Sequence, residues 1–343
     1  MTIRIFFFAA ALAAVSAVAQ AEPIEIEMVT IGHAGNPADD TGYGAVGYQY
    51  QIGKYEVTNA QYCAFLNAVA QTDPNGLWNS TMQNLSINRG TVGGKYSYTL
   101  ASNQANRPVR YISRLDAMRF VNWLFNGQPT GAQGALTTED GVYDISLGLG
   151  ATRQEGATYV LPNDNEWYKA AYYQGPEGTT GYYDYATGSD ALPKAAKVET
   201  NGTIAQYYDP WNSSTVKTAQ AEDRLAVFGN KSNAPANVGA TNTPSPYGTF
   251  DQTGSVYEWL EDTYQGSNPV ARGGAYSAAS LTLLDSSHRR TNFPDADNVY
   301  VGFRVAAVPE PSTMALGCAA GLIGLAAWAG SRRRQSEKGK RTA

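Results

Sequence analysis

Three stretches of the chain place apolar residues three and four positions apart behind a residue able to cap a helix. Thr58 precedes Tyr62, Phe65, Leu66 and Val69; Ser113, with Asp116 three positions on, precedes Met118, Val121, Trp123, Leu124 and Phe125; Asn163, with Glu166, precedes Trp167 and Ala170. A small polar N-cap accepts a hydrogen bond from the backbone N–H at the third helical position, and an acid there can accept from the cap's own N–H. Each pattern therefore predicts a short amphipathic helix. Ile24, Ile26 and Met28 alternate with polar residues, the period of a half-buried strand, and Gly42 to Tyr55 predicts further strand broken by glycines. From Gly178 to Asn237 the pattern gives way to polar, turn-rich sequence, with Asn201-Gly202 as a tight turn, which predicts long loops over the surface. Short helices and short strands separated by much irregular chain predict an α+β fold. No linker, charge block or repeat interrupts Glu22 to Ala307, so one compact domain is predicted over residues 22–307.

Two apolar runs stand apart from this pattern. Ile5 to Val18 follows Arg4 and precedes Ala19-Gln20-Ala21, which predicts a signal peptide over residues 1–21; the run is short for a membrane anchor. Met314 to Gly330 is a 17-residue stretch without charge, closed by Ser331-Arg332-Arg333-Arg334. As a helix it spans about 25 Å, the short end of what crosses a bilayer. Its arginines stay on the cytoplasmic side, which leaves the large preceding domain outside.

Composition narrows the chemistry. Only two histidines (His33, His288) and two cysteines (Cys63, Cys318) occur in 343 residues, so neither a three-histidine metal site nor a disulfide framework can be built. Between the two ends the chain carries 18 bases and 28 acids, an acidic balance that repels nucleic acid and is compatible with cation binding.

The C-terminal arrangement is specific. Val308-Pro309-Glu310-Pro311-Ser312, the short span and the closing arginines together resemble the PEP-CTERM sorting signal, covering residues 308–343. The resemblance implies transient anchoring in the inner membrane, cutting near the motif by an exosortase-type processing enzyme, and release to the cell surface or extracellular matrix.

Five internal segments, in order, resemble the formylglycine-generating enzyme (sulfatase-modifying factor) family. They are Ile52-Gly53-Lys54-Tyr55-Glu56-Val57-Thr58-Asn59-Ala60-Gln61-Tyr62; Arg107-Pro108-Val109 running into Ser113-Arg114-Leu115-Asp116-Ala117, with Arg114 where a tryptophan is usual; Tyr159-Val160-Leu161-Pro162-Asn163 through Glu166-Trp167; Tyr247-Gly248-Thr249-Phe250-Asp251 through Glu258-Trp259; and Arg272-Gly273-Gly274-Ala275-Tyr276 with Gly302-Phe303-Arg304. The implied fold is that family's variant of the C-type-lectin fold. Trp167, Trp259, Tyr257 and Phe303 are expected in the core, Arg272 and Arg304 in structural ion pairs.

Enzymes of the family use a pair of cysteine thiolates to hold monovalent copper and exchange with a substrate thiol. Those positions fall here on Ala278 and Leu283, and no cysteine lies between Gly273 and Arg304. Alanine and leucine neither ligate copper nor attack sulfur, so no copper is expected and no catalytic residue is assigned. The resemblance still implies a structural calcium held by oxygens of Asp251, Gln252, Gly254 and Val256. The expected function is an exported, non-catalytic module that binds a glycan or peptide in a cleft formed by Tyr276, Ser277, Ser280, Arg289 and Arg290. The alternative is an oxidoreductase converting a sulfatase cysteine to formylglycine.

Protein recovered from the native cell surface is expected to begin at Glu22 and to lack the segment after Pro309-Glu310-Pro311. Intact mass measures this, and a species that retains Arg332 to Arg334 contradicts the sorting assignment.

Overall fold

All three capping patterns form helices in the computed structural model, which describes residues 23–175, 181–208, 216–229, 234–291 and 298–309. Helix α1 (Asn59–Val69) is capped by Thr58 with Gln61, α2 (Arg114–Phe125) by Ser113 with Asp116, and α3 (Asp164–Tyr172) by Asn163 with Glu166, each a reciprocal box. Tyr62 and Phe65 of α1 meet Phe120 and Trp123 of α2, and Phe120 packs edge-on against Phe303 at 5.2 Å between ring centroids. Phe125, the last residue of the helix, departs from expectation and stands 39% exposed.

The strands are short. β1 (Met28–Ile31), β2 (Tyr50–Gly53), β5 (Tyr159–Val160) and β13 (Ala306–Ala307) form an antiparallel sheet in the order β1-β2-β13-β5. The predicted strand at Ile24 begins only at Met28. Upstream there is no partner strand, since β2 is four residues long and fully paired with β1. The side-chain amide of Gln128 takes the missing strand's place, donating to Ile24 O and accepting from Ile24 N. Likewise only Tyr50–Gly53 of the Gly42–Tyr55 stretch is strand.

β3 (Ile87–Val92) and β4 (Lys95–Leu100) make a hairpin whose Gly93-Gly94 turn has both φ values positive. The segment expected to run as surface loops instead builds a second sheet, β8-β7-β6-β9, from β6 (Lys194–Val198), β7 (Ile204–Tyr208), β8 (Val216–Thr218) and β9 (Leu225–Ala226). Its polar composition hid it, because only Ala195, Ala196, Tyr208, Leu225 and Ala226 turn fully inward. Asn201-Gly202 does form the β6–β7 turn, with Gly202 at φ 86°.

The third sheet carries the closing motifs. β10 (Tyr257–Tyr264) pairs antiparallel with β11 (Asn268–Arg272) and parallel with β12 (Val301–Gly302). Trp259 and Phe303 are fully buried and Tyr257 nearly so, as expected of core aromatics. Between these elements lies a buried ion pair. Arg304 donates through Nε to Glu258 Oε2 at 2.5 Å and through Nη2 to Oε1 at 2.7 Å, with both side chains at 0% exposure. The same guanidinium reaches Gly53 O and Phe250 O, and Trp167 Nε1 donates to Glu258 at 2.7 Å. One charged pair thus joins β2, α3, β10 and the chain before β13.

Removing one member of such a pair strands the other without water. Arg304→Met is expected to cost about 3–5 kcal/mol, and Arg304→Met combined with Glu258→Leu to recover a large part of the loss. Urea denaturation reads both; a single variant as stable as the parent shows that the pair is not a brace.

Candidate functional site

The segment from Arg272 to Arg304 is fixed at its start by two glycines that admit no side chain. A Cβ on Gly273 (φ 98°) would lie 3.2 Å from Gln252 O, and one on Gly274 (φ 80°) 2.7 Å from Leu284. Gly254 N donates to Gly273 O, which stitches this turn to the Asp251–Val256 loop.

Beyond the glycines the five expected cleft residues occupy separate places. Tyr276 is buried, and its hydroxyl accepts from Arg110 Nη1 at 2.9 Å. The Arg110 guanidinium lies over the Tyr276 and Tyr111 rings, and Tyr300, 38% exposed, packs against Tyr276 at 5.7 Å. Ser277 follows half-buried, while Ser280 is exposed and bonds Thr282 Oγ1 at 2.8 Å. Arg289 does not join them: its Nε donates to Asp164 Oδ2 at 2.5 Å, and its guanidinium lies over Tyr43 and Tyr264. Arg290 lies over Tyr257, whose hydroxyl is 3.4 Å from His288 Nε2. Burial, followed by the charge of Arg290, holds the His288 pKa below its ordinary value, so the ring is neutral at pH 7. Three cavities, of about 580, 500 and 250 Å³, are lined by other residues.

Arg110, Tyr111 and Tyr300, which make the Tyr276 surface, are not legible as site residues in the sequence. Tyr111 holds φ 61°, a conformation uncommon for an aromatic residue and one that no local sequence feature announces. Its N–H is held by Asn298 O at 3.0 Å, a partner far along the chain.

At Ala278 and Leu283, the positions onto which the resemblance carries the family's thiolates, the chain is apolar and packed. Ala278 is 5% exposed in a cluster with Tyr208, Ala226, Phe228 and Leu284, and Leu283 packs against the same group. Cys63, the one free cysteine among the described residues, is buried on α1, and burial pushes its thiol up to about 11.

The Asp251–Val256 loop is folded on itself. Asp251 (φ 66°) accepts from Gly239 N at 2.5 Å and Thr241 Oγ1 at 3.2 Å, and burial pushes its carboxyl up to about 6. Gln252 accepts from the Thr249 hydroxyl and donates to Trp167 O at 3.3 Å. Glu56 lies within electrostatic reach of Asp251, Glu258 and Arg304; it is 2% exposed and neither of its carboxylate oxygens has a hydrogen-bond partner. Burial, then the charge of Asp251, raises its pKa well above the usual range. Three carboxyls here face one guanidinium. Among the described residues, no three His, Cys, Asp or Glu side chains converge as a ready-made metal set.

The fold and this closing segment define a single α+β domain of the formylglycine-generating-enzyme type. The chain belongs to the sulfatase-modifying factor enzyme 1-like domain family, whose pattern matches residues 35–308. Residues 307–334 match the PEP-CTERM protein-sorting motif, which marks the chain for export with transient membrane anchoring and for exosortase-type processing. The predicted signal peptide, the predicted span and the residues after Pro309 lie outside the described residues, among which no helix is long and apolar enough to cross a membrane.

Among curated proteins, a segment is 35% identical to serine/threonine-protein kinase pkn1 of Chlamydia pneumoniae and 36% identical to that of Chlamydia caviae. Each match covers 18% of this chain and 13% of the relative's length. Among solved structures the chain is similar to Treponema denticola variable protein 1 (19% identity, TM-score 0.49, 83% of this chain and 96% of that one). It is also similar to CarF (20%, 0.43, 83% and 99%) and to PvdO from Pseudomonas aeruginosa (15%, 0.44, 82% and 94%).

Proposed function

We propose that this is an exported, non-catalytic member of its family that binds an extracellular glycan or peptide at the cell surface or in the matrix. The observation that carries the reading is the packing of Ala278 and Leu283 against Phe228 and Leu284, where the reaction needs two thiolates. Monovalent copper requires soft donors, and a mixed disulfide requires a thiol; the segment supplies neither. The surface offered instead, Arg110 with Tyr111, Tyr276 and exposed Tyr300, has the residue types that anchor recognition: stacked rings and a guanidinium already held in place. Kinship with the C-type-lectin fold agrees with a binding role by analogy alone.

A structural calcium belongs to the same proposal. Asp251 would contribute its carboxylate, and Gln252, Gly254 and Val256 hard backbone oxygens; the bound ion would supply positive charge beside the partnerless carboxyl of Glu56. Its chemistry there is to tie the loop to the core.

The purified protein, given copper, oxygen and a cysteine-containing sulfatase peptide, is expected to form no aldehyde by mass spectrometry; aldehyde formed by the unmodified protein establishes the oxidoreductase instead. Ala278→Cys alone is expected to remain inactive, since one thiolate is not a pair. Calcium at a hundredfold excess over its Kd is expected to stabilise the fold by about 2.7 kcal/mol, several degrees in Tm, reversed by chelator. Identical melts with calcium and with chelator contradict the metal assignment.

A further inference from the structure

The 580 Å³ cavity lies between residues 149–153, the first residue of α2, the N-cap of α3 and the end of β10; none of the residues assigned above to ligand or metal lines it, although Arg289 lies within electrostatic reach of Asp262. Its size falls within the range of small-molecule sites, roughly 300–1,000 Å³. Its walls are charged yet balanced. Arg114, fully buried, donates to Leu260 O at 3.0 Å and to Glu261 O. Arg153 forks onto Glu166 at 2.8 and 3.0 Å and pairs with Glu261, whose Oε1 also accepts from Arg153 N at 2.9 Å. Asp262 accepts from Asp164 N at 2.6 Å. Burial raises the pKa of both Glu261 and Asp262.

The lining's Arg114, Arg153, Glu261 and Asp262, taken with Glu166 on Arg153 and with Asp164 and its partners Arg272 and Arg289, bring four guanidiniums and four carboxylates together, so the cavity has little net charge to recruit an ion. Carboxylates accept and guanidiniums donate, and the Thr152 and Thr263 hydroxyls do both. The ligand that meets this alternation presents groups that each donate and accept, which means neighbouring hydroxyls. Among the described residues, Leu149 and Ala151 are the only aliphatic side chains on the wall, too few for a large apolar ligand, while half-buried Tyr48, its hydroxyl donating to Glu166, adds one aromatic ring of the kind that packs against the apolar side of a sugar.

We propose that this cavity binds a neutral saccharide unit, with Asp262, Thr152 and Thr263 contacting its hydroxyls and the buried Arg114–Arg153–Glu261 network holding the wall rigid. This goes beyond the Tyr276 surface and stands whether or not that surface binds anything.

The test titrates the full exported protein with neutral mono- and disaccharides, and with glucosamine and sialic acid as charged controls, by saturation-transfer NMR and calorimetry. A neutral sugar is expected to bind, and to bind roughly tenfold more weakly to Thr152→Val and to Asp262→Asn, the loss of one matched hydrogen bond, with Val92→Ala on the distant hairpin unchanged. Thr152 is exposed on a loop, so its variant keeps the test valid should Asp262→Asn unfold. The proposal is overturned if no neutral sugar binds, if a charged sugar binds more tightly than every neutral one, or if Tyr300→Ala abolishes binding that Thr152→Val leaves intact. That last result would assign the sugar to the Tyr276 surface instead.

Discussion

A buried guanidinium organises this fold. Arg304 satisfies Glu258 with two donors and directs the rest to the carbonyls of Gly53, Lys54 and Phe250, segments drawn from the beginning and the late middle of the domain that it ties to the end. With so few residues in regular strands, backbone ladders cannot fix how the three sheets meet. Charged side chains fix it instead. Arg272 and Arg289 share Asp164, Arg153 bridges Glu166 and Glu261, and Arg107 reaches Pro235 O and Thr200 O to hold the second sheet. A planar, permanently charged fork with five donors suits this use, because it can satisfy several carbonyls at once.

The same framework explains how the domain keeps its shape without the family's thiolates. The Gly273-Gly274 turn is imposed by close approach to Gln252, Trp167, Leu284 and the Leu283 backbone. Ala278 and Leu283 extend an apolar cluster with Phe228. Asp251, Glu56 and Glu258 keep an excess of buried acid beside Arg304, which a proton or a hard cation must offset.

The C-terminal edge of the fold sits directly against the sorting motif. Ala306 and Ala307 pair with β2 on one side and β5 on the other, and Val308 N donates to Thr158 O, one residue before Pro309. β13 is therefore an interior strand of its sheet, and the chain must deliver it before that sheet can close. Processing at the motif leaves the strand whole; a cut a few residues earlier would remove it.

The sequence alone determined what depends on short-range physics. The three helix N-caps and the turn at Asn201-Gly202 follow from local spacing and conformational preference, and the ordered motifs added the fold class and the burial of Trp167, Trp259 and Phe303. What stayed hidden depends on partners far along the chain. Ile24 alternates correctly but meets Gln128 rather than a strand; the polar segments 194–208 and 216–226 form a sheet because Ala195, Tyr208 and Ala226 pack into one cluster and Ala196 and Leu225 into another; Tyr111 is held left-handed by Asn298; and Arg289 leaves the expected cleft because Asp164 lies within reach. Periodicity and capping are settled within a few residues, whereas a guanidinium's choice of carboxylate, or a cavity's balance of charge, is settled only when segments more than a hundred residues apart are brought to within 3 Å.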